Sequence, residues 1–183
     1  MKNILVPTDF SENSLNALKY AQVLFGSREC NFYVLYVGTL LDTKKDAETL
    51  GTIDEDPTEN SKQKLAELVE GIRSQNSNTD HYFYALHEYG FFIPTIKKYL
   101  EGQHIDLIVM GTQGASGIKE KVVGSNAGDV ITKVQCNTLV IPKEVDFSKP
   151  REIAFPSDFN IFYSHQILKA VVEIMQLGKG KLR

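Results

Sequence analysis

Five short apolar runs, each separated from the next by a stretch with helical spacing, constrain this chain more than any other feature. Ile4-Leu5-Val6 is the first, and Leu15, Leu18, Ala21 and Phe25 then recur at helical intervals until Gly26 stops them. Phe32-Tyr33-Val34-Leu35-Tyr36-Val37 is almost wholly apolar, as a strand covered on both faces must be, and Gly38 ends it. Leu65, Leu68, Val69 and Ile72 form an i, i+3, i+4, i+7 stripe, closed by the polar residues 76–80. Residues 81–87 alternate weakly and read as a strand; Ile93, Ile96 and Leu100 mark a helix ending at Gly102. Residues 105–110 form the fourth strand, broken only by Asp106, and Val123, Ala127, Val130, Ile131 and Val134 the helix after it. Thr138-Leu139-Val140-Ile141 is the fifth strand. Residues 42–60, acidic around Asp54-Glu55-Asp56-Pro57 and without period, read as a loop. Strands alternating with helices require crossover connections, so the fold class is α/β: a doubly wound parallel sheet with helices on both faces.

One such unit closes at roughly 150 residues, and the remainder of this 183-residue chain is too short for a second. A net charge of -3 gives no bias toward nucleic acid or an anionic membrane, so neither is an expected partner. No apolar run has the length of a signal peptide or a membrane span, which points to a cytoplasmic protein. Cys30 and Cys136, each leading into a strand and without CxxC spacing, read as buried thiols.

In open α/β sheets, ligands bind outside the carboxyl ends of the strands, where the strand order reverses. The two sharpest motifs fall at such ends. After strand one stands Pro7-Thr8-Asp9-Phe10-Ser11; after strand four stands Gly111, two residues, Gly114, nine residues, Gly124-Ser125. A phosphate site needs converging backbone N–H groups with no side chain in the way, and a partial positive charge; glycine and a helix N-terminus supply these. Gly111 and Gly114 allow close approach, Gly124-Ser125-Asn126 opens a helix, and the segment between them carries Lys119 and Lys121. The plainer alternative is that Gly111 and Gly114 are turn residues and Ser125 an N-cap. The spacing is not that of a Walker A loop, which needs Gly-Lys-Ser/Thr, nor that of a dinucleotide fingerprint, which would follow strand one. Ser11 suffices as the cap of the first helix, which would release Asp9 to accept hydrogen bonds from a ribose or base.

The opening of the chain returns near its end. Ile4, Pro7, Asp9 and Phe10 match Ile153, Pro156, Asp158 and Phe159 at one offset, and Ile167, Ala170, Val171 and Ile174 then form an amphipathic helix that Gly178 closes. No second glycine run follows, so the chain builds one such site. A lone strand and helix cannot bury their apolar face, and must pack on the first domain, on another chain or on further parts of a longer protein. The expected organisation is a domain over 1–144, a linker over 145–151, and over 152–183 a partial second copy of first strand and helix only, with a basic end.

Pro7-Thr8-Asp9-Phe10-Ser11, Val37 at the end of strand two and the Met110-Gly111-x2-Gly114-x9-Gly124-Ser125 run together resemble the universal stress protein family, in its ATP-binding branch, over residues 2–143. The tail resembles the opening of a second copy, as in tandem members. The resemblance implies a five-stranded sheet of order 3-2-1-4-5, of the adenine nucleotide alpha hydrolase-like kind. It implies a nucleotide site in which Asp9, with Pro7 and Thr8 before it as further nucleotide-binding residues, and Val37 contact adenosine, Met110 and Gly111 lie on the ribose side, and Gly114, Gly124, Ser125 and Asn126 hold the phosphates. Gln113 stands where many members have histidine, and Ala115-Ser116-Gly117 is more flexible than usual. The implied ligand is ATP, with Mg2+ held by the phosphates and water and not by a protein metal site, and the implied partner a second copy of the chain through strand five, or pairing with a second copy of the domain. The implied role is regulatory, with nucleotide biasing conformation or assembly.

No general base or activated nucleophile stands near the cradle, so efficient turnover is not expected. The alternative is a dimerisation or interaction module of the same fold with no nucleotide. An adenylating enzyme would want a Ser-Gly-Gly-x-Asp-Ser loop after strand one, absent here. His81, His87, His104 and His165 are scattered and read as surface or satisfied core residues, Asp106 as structural, and Tyr82, Phe83, Tyr84, Phe91 and Phe92 as core packing.

Overall fold

The computed structural model describes residues 1–38, 57–112, 124–143, 145–156 and 162–183. Its main unit runs β1 (Lys2–Pro7), α1 (Glu12–Leu24), β2 (Cys30–Gly38), α2 (Pro57–Gln75), β3 (His81–Tyr89), α3 (Phe92–Gly102), β4 (Leu107–Gly111), α4 (Ser125–Lys133) and β5 (Thr138–Ile141). The five strands form one sheet of order β3-β2-β1-β4-β5, every neighbouring pair parallel. This is the expected doubly wound sheet.

Period two in the strands sorts side chains onto two cores. Ile4 and Val6 of β1, Phe32 and Val34 of β2, and Leu107 and Val109 of β4 face α1 and α2, where Ala17, Leu18, Ala21, Leu65 and Val69 complete one cluster. Leu5, Leu35, Ile108 and Met110 face the other way, onto Ile96 of α3 and Ala127 and Val130 of α4. Phe32 and Leu35 are fully buried, each stabilising the fold by about 2 kcal/mol through apolar burial. At the amino ends, Asn31 Nδ2 donates to Asn3 Oδ1 (2.9 Å) and the Asn3 backbone N–H to the Asp106 carboxylate (2.8 Å), which stitches β1 to its neighbours away from any ligand. Asp106 is structural, as its position implied.

Several boundaries differ from the sequence reading. The expected loop over 42–60 ends early, because α2 begins at Pro57; proline suits the first helical position, where its missing N–H costs nothing. The polar first turns of α2 hid it from an apolar periodicity; residues 39–56 lie outside the described residues. Tyr82, Tyr84 and Phe91 do not pack in the core: Tyr82 and Tyr84, 45% and 41% exposed, lie on the edge strand β3, and Phe91, 83% exposed, is the N-cap residue just before α3. Phe83 is buried as expected. Cys30 is buried and Cys136 half-buried, both free thiols; burial pushes the Cys30 thiol up to about 11.

The tail forms β6 (Glu152–Ile153), α5 (His165–Gly178) and β7 (Lys181–Leu182). The last strand was not expected: β6 and β7 pair in parallel across α5, Ile153 opposite Leu182, much as Ile4 stands opposite Phe32 across α1. Ser164 caps α5 as Ser11 caps α1, and residues 157–161, which include Asp158 and Phe159, lie outside the described residues. Tail and linker pack on the main unit. Phe147, Ile174 and Leu177 lie against the α1 side core, Lys2 pairs with Glu173 at 2.7 Å, Tyr20 meets the Phe147 ring edge-on at 5.0 Å, and Asn16 Nδ2 donates to the Val145 carbonyl at 3.0 Å.

Candidate functional site

The strand order places β1 between β2 and β4, so the chain leaves β1 for one half of the sheet and later returns for the other. The switch point is therefore the carboxyl end of β1 with those of its two neighbours. Pro7 is opposite Leu35, which sets Val37 just past it on β2; Gly111 ends β4 and pairs with Ile141. Pro7, Thr8, Asp9, Val37, Met110, Gly111, Gly124, Ser125 and Asn126 thus gather at one end of the sheet. Gly114 lies outside the described residues, as do Gln113, Ala115-Ser116-Gly117, Lys119 and Lys121.

The turn from β1 into α1 is held by its own side chains. Thr8 is buried; its backbone N–H donates to the Leu35 carbonyl (2.8 Å), and its hydroxyl accepts from the Phe10 N–H (3.0 Å) and lies 2.9 Å from the Ser14 hydroxyl. Asp9 Oδ1 accepts from both the Ser11 N–H (3.1 Å) and the Ser11 hydroxyl (2.5 Å), while Ser11 Oγ accepts from the Ser14 N–H (3.3 Å). Ser11 is the N-cap, as expected, but it does not work alone. Asp9 is an exposed member of the capping relay and is not released from it, because a carboxylate two residues before a backbone N–H closes an Asx turn. Phe10, between these two turns, has φ 62°, a left-handed conformation that costs an L-residue about 1–2 kcal/mol.

On the other wall, Gly111 is required by packing. A Cβ there would fall 2.6 Å from Asn13 Cγ, so the absence of a side chain at position 111 is what lets the Asn13 side chain of α1 sit against the end of β4. The Thr112 N–H continues the ladder to Ile141, and its carbonyl accepts the Gly124 N–H at 2.5 Å, so the two ends of the glycine run meet in one hydrogen bond. Gly124 is the N-cap of α4 and makes no side-chain cap bond; Ser125 is the first helical residue, not the cap that the plainer alternative proposed. Ser125 and Asn126 are exposed at this helix start. A helix N-terminus without a side-chain cap offers N–H groups and a partial positive charge to an anion. The Met110 side chain is buried in the α3 side core, so only its main chain is available at the site.

Sequence reasoning missed a ring ladder beside this turn. Phe10 stacks on Tyr36 (4.9 Å between centroids), Tyr36 on His87 (5.4 Å), and His87 meets Tyr89 edge-on (5.1 Å). Ser61 of α2 bonds to His87 Nε2 at 2.9 Å and to the Tyr89 hydroxyl at 3.0 Å, and Lys64 lies 4.7 Å over the Phe10 ring. Desolvation, then the nearby Lys62 charge, holds the His87 imidazole below its usual value, against the opposing pull of Glu88 and Glu59. Their parallel register was the available signal: Tyr36 stands opposite His87 and Gly38 opposite Tyr89. A separate groove of about 560 Å³ between α1 and α2, lined by Leu15, Leu18, Leu68 and Ile72 with Lys19 and Glu67 of opposite charge, lies away from the switch point.

Fold and site together define a doubly wound α/β protein whose ligand crevice would lie at the β1/β4 switch point. The model of the Universal stress protein family matches residues 1–142, and the chain belongs to that family. It is 29% identical over 150 residues to Universal stress protein MJ0531 of Methanocaldococcus jannaschii, covering 78% of this chain and 82% of that protein. The solved structure of protein MJ0577 of the same organism is 26% identical and superposes with a TM-score of 0.64 over 79% of this chain and 98% of that one. A universal stress protein solved in complex with cAMP shares the fold at 16% identity, with a TM-score of 0.53 over 78% of this chain and 98% of that one. Among the described residues, no helix is long and apolar enough to cross a membrane.

Proposed function

We propose that this chain is a cytoplasmic stress-response protein that binds ATP at the carboxyl ends of β1 and β4, with nucleotide occupancy biasing conformation or assembly and not driving turnover. The observation that carries the reading is the junction of the glycine run. Gly111 packs against the Asn13 side chain where a Cβ would clash, and Thr112 and Gly124 meet across the run at the start of a helix that no side chain among the described residues caps. Asp9 and Val37 complete the crevice on the adenosine side, and Ser125 and Asn126 stand on the phosphate side. In one solved structure of this fold the ligand is cAMP, an adenine nucleotide. The donor set suits phosphates: backbone N–H groups and a hydroxyl, with no carboxylate among Gly111, Gly124, Ser125 and Asn126, so Mg2+ would be carried by the phosphates and water. Dimerisation through β5, an edge strand, is part of the same reading.

Titration of the intact chain with a fluorescent ATP analogue, beside Gly114→Val and Gly124→Val, tests it. Saturable binding by the unaltered chain and at least tenfold weaker binding by both variants is expected. Equal weak binding by all three would sink the nucleotide reading in favour of an interaction module with an empty site.

A further inference from the structure

The Pro7–Ser11 turn carries a cost that its local bonds do not explain. Thr8 and Asp9 satisfy the turn with their own side chains, yet position 10 is left-handed and held by phenylalanine where glycine would sit without strain. The Phe10 ring is what glycine could not supply. It lies half-buried on the α1/α2 core, stacked at 4.9 Å on Tyr36 with an interplanar angle of 25°, under the Lys64 ammonium at 4.7 Å. Tyr36 is one residue before Val37, and its ring continues through His87 to Tyr89, where Ser61 ties the ladder to α2. The ring therefore joins the end of β1 to the end of β2, the two elements that present Asp9 and Val37.

We infer that Phe10 is a positioning residue of the nucleotide site: its ring, clamped on Tyr36, holds the turn in the left-handed conformation that presents Asp9 at the carboxyl end of β1. This rests on the nucleotide reading above. Phe10 acts through Asp9, not by contact with the nucleotide. The ladder lies on the α1/α2 face, whereas Val37 and Met110 belong to the opposite core, so the ring braces the crevice from behind. The bracing also makes the N-terminal turns of α2 part of the site's support, through Ser61 and Lys64.

The test uses the full chain and Mg-ATP in titration calorimetry, with urea unfolding as a check on folding. Phe10→Tyr keeps the ring and is expected to bind within about twofold of the unaltered chain. Phe10→Gly keeps the turn allowed but removes the clamp, and is expected to bind at least tenfold more weakly while remaining folded. Tyr36→Leu should weaken binding similarly, Tyr36→Phe should not, and the double variant Phe10→Gly/Tyr36→Leu should bind no more weakly than Phe10→Gly alone, because both act through one turn. Packing alone would shift the unfolding midpoints and leave the affinity of the folded chain unchanged. If the unaltered chain binds Mg-ATP and Phe10→Gly and Tyr36→Leu bind it equally well, this inference is overturned and the nucleotide reading stands. If the unaltered chain does not bind, both fall.

Discussion

Gly111 shows how one residue serves the fold and the site at once. The space its Cβ would need is held by the Asn13 amide of α1, so Gly111→Ala is expected to cost about 1–3 kcal/mol through overpacking. Urea unfolding checks this, and Asn13→Ala in the same chain should return part of the loss, since the clash is between these two side-chain positions. His87 gives a pH dependence. Its imidazole titrates below the ordinary 6.5 because desolvation and Lys62 disfavour the cation. The unfolded chain then binds the proton more readily, so this contribution to stability is complete above about pH 6.5 and is lost as pH falls below it. The urea midpoint should decline from about pH 7.5 to about pH 5.5, and His87→Phe, which keeps a stacked ring, should remove part of that decline. An unchanged slope in His87→Phe would contradict the role given to His87.

Among the elements, the tail makes the most specific prediction. A two-stranded sheet with one helix is too small to stand alone, and β6, α5 and β7 rest on the main unit through Ile174, Leu177, Phe147 and the Lys2–Glu173 pair. Ile174→Ala with Leu177→Ala should lower the stability of the whole chain by about 2 kcal/mol in one cooperative transition, measured by chemical denaturation. A separate early transition for the tail would show that it does not brace the first domain. The sequence made the strands and most helices legible because the core-facing residues keep period two or 3.6 without a break, as in Phe32 to Val37 and Leu65 to Ile72. It concealed the start of α2 at Pro57, where the first turns are polar on every side, and it concealed β7, whose two residues carry no period. Site residues at strand ends were legible from glycine spacing; the Asp9 relay and the Phe10 ladder were not, because each depends on a backbone conformation and on neighbours brought alongside by register.

For the whole molecule, the sheet ends at two edges, the nine-residue β3 and the four-residue β5. Arg73 of α2 donates from Nε (3.1 Å) and Nη2 to the Phe83 carbonyl of β3, occupying a group that a further strand would need. Association through β5 is the expected assembly, and it should survive removal of residues 147–183. Light scattering on the full chain and on 1–146 is expected to show dimers of both; a monomer from 1–146 would assign the contact to the tail. The central claim concerns where an adenine nucleotide binds, and amide chemical-shift mapping of the full chain with Mg-ATP tests it most directly. Saturable shifts at Asp9, Val37, Gly111 and Gly124 through Asn126, with little change at the α1/α2 groove, are the predicted result. No saturable shift, or shifts gathered at Leu15, Leu68 and Ile72, would contradict it.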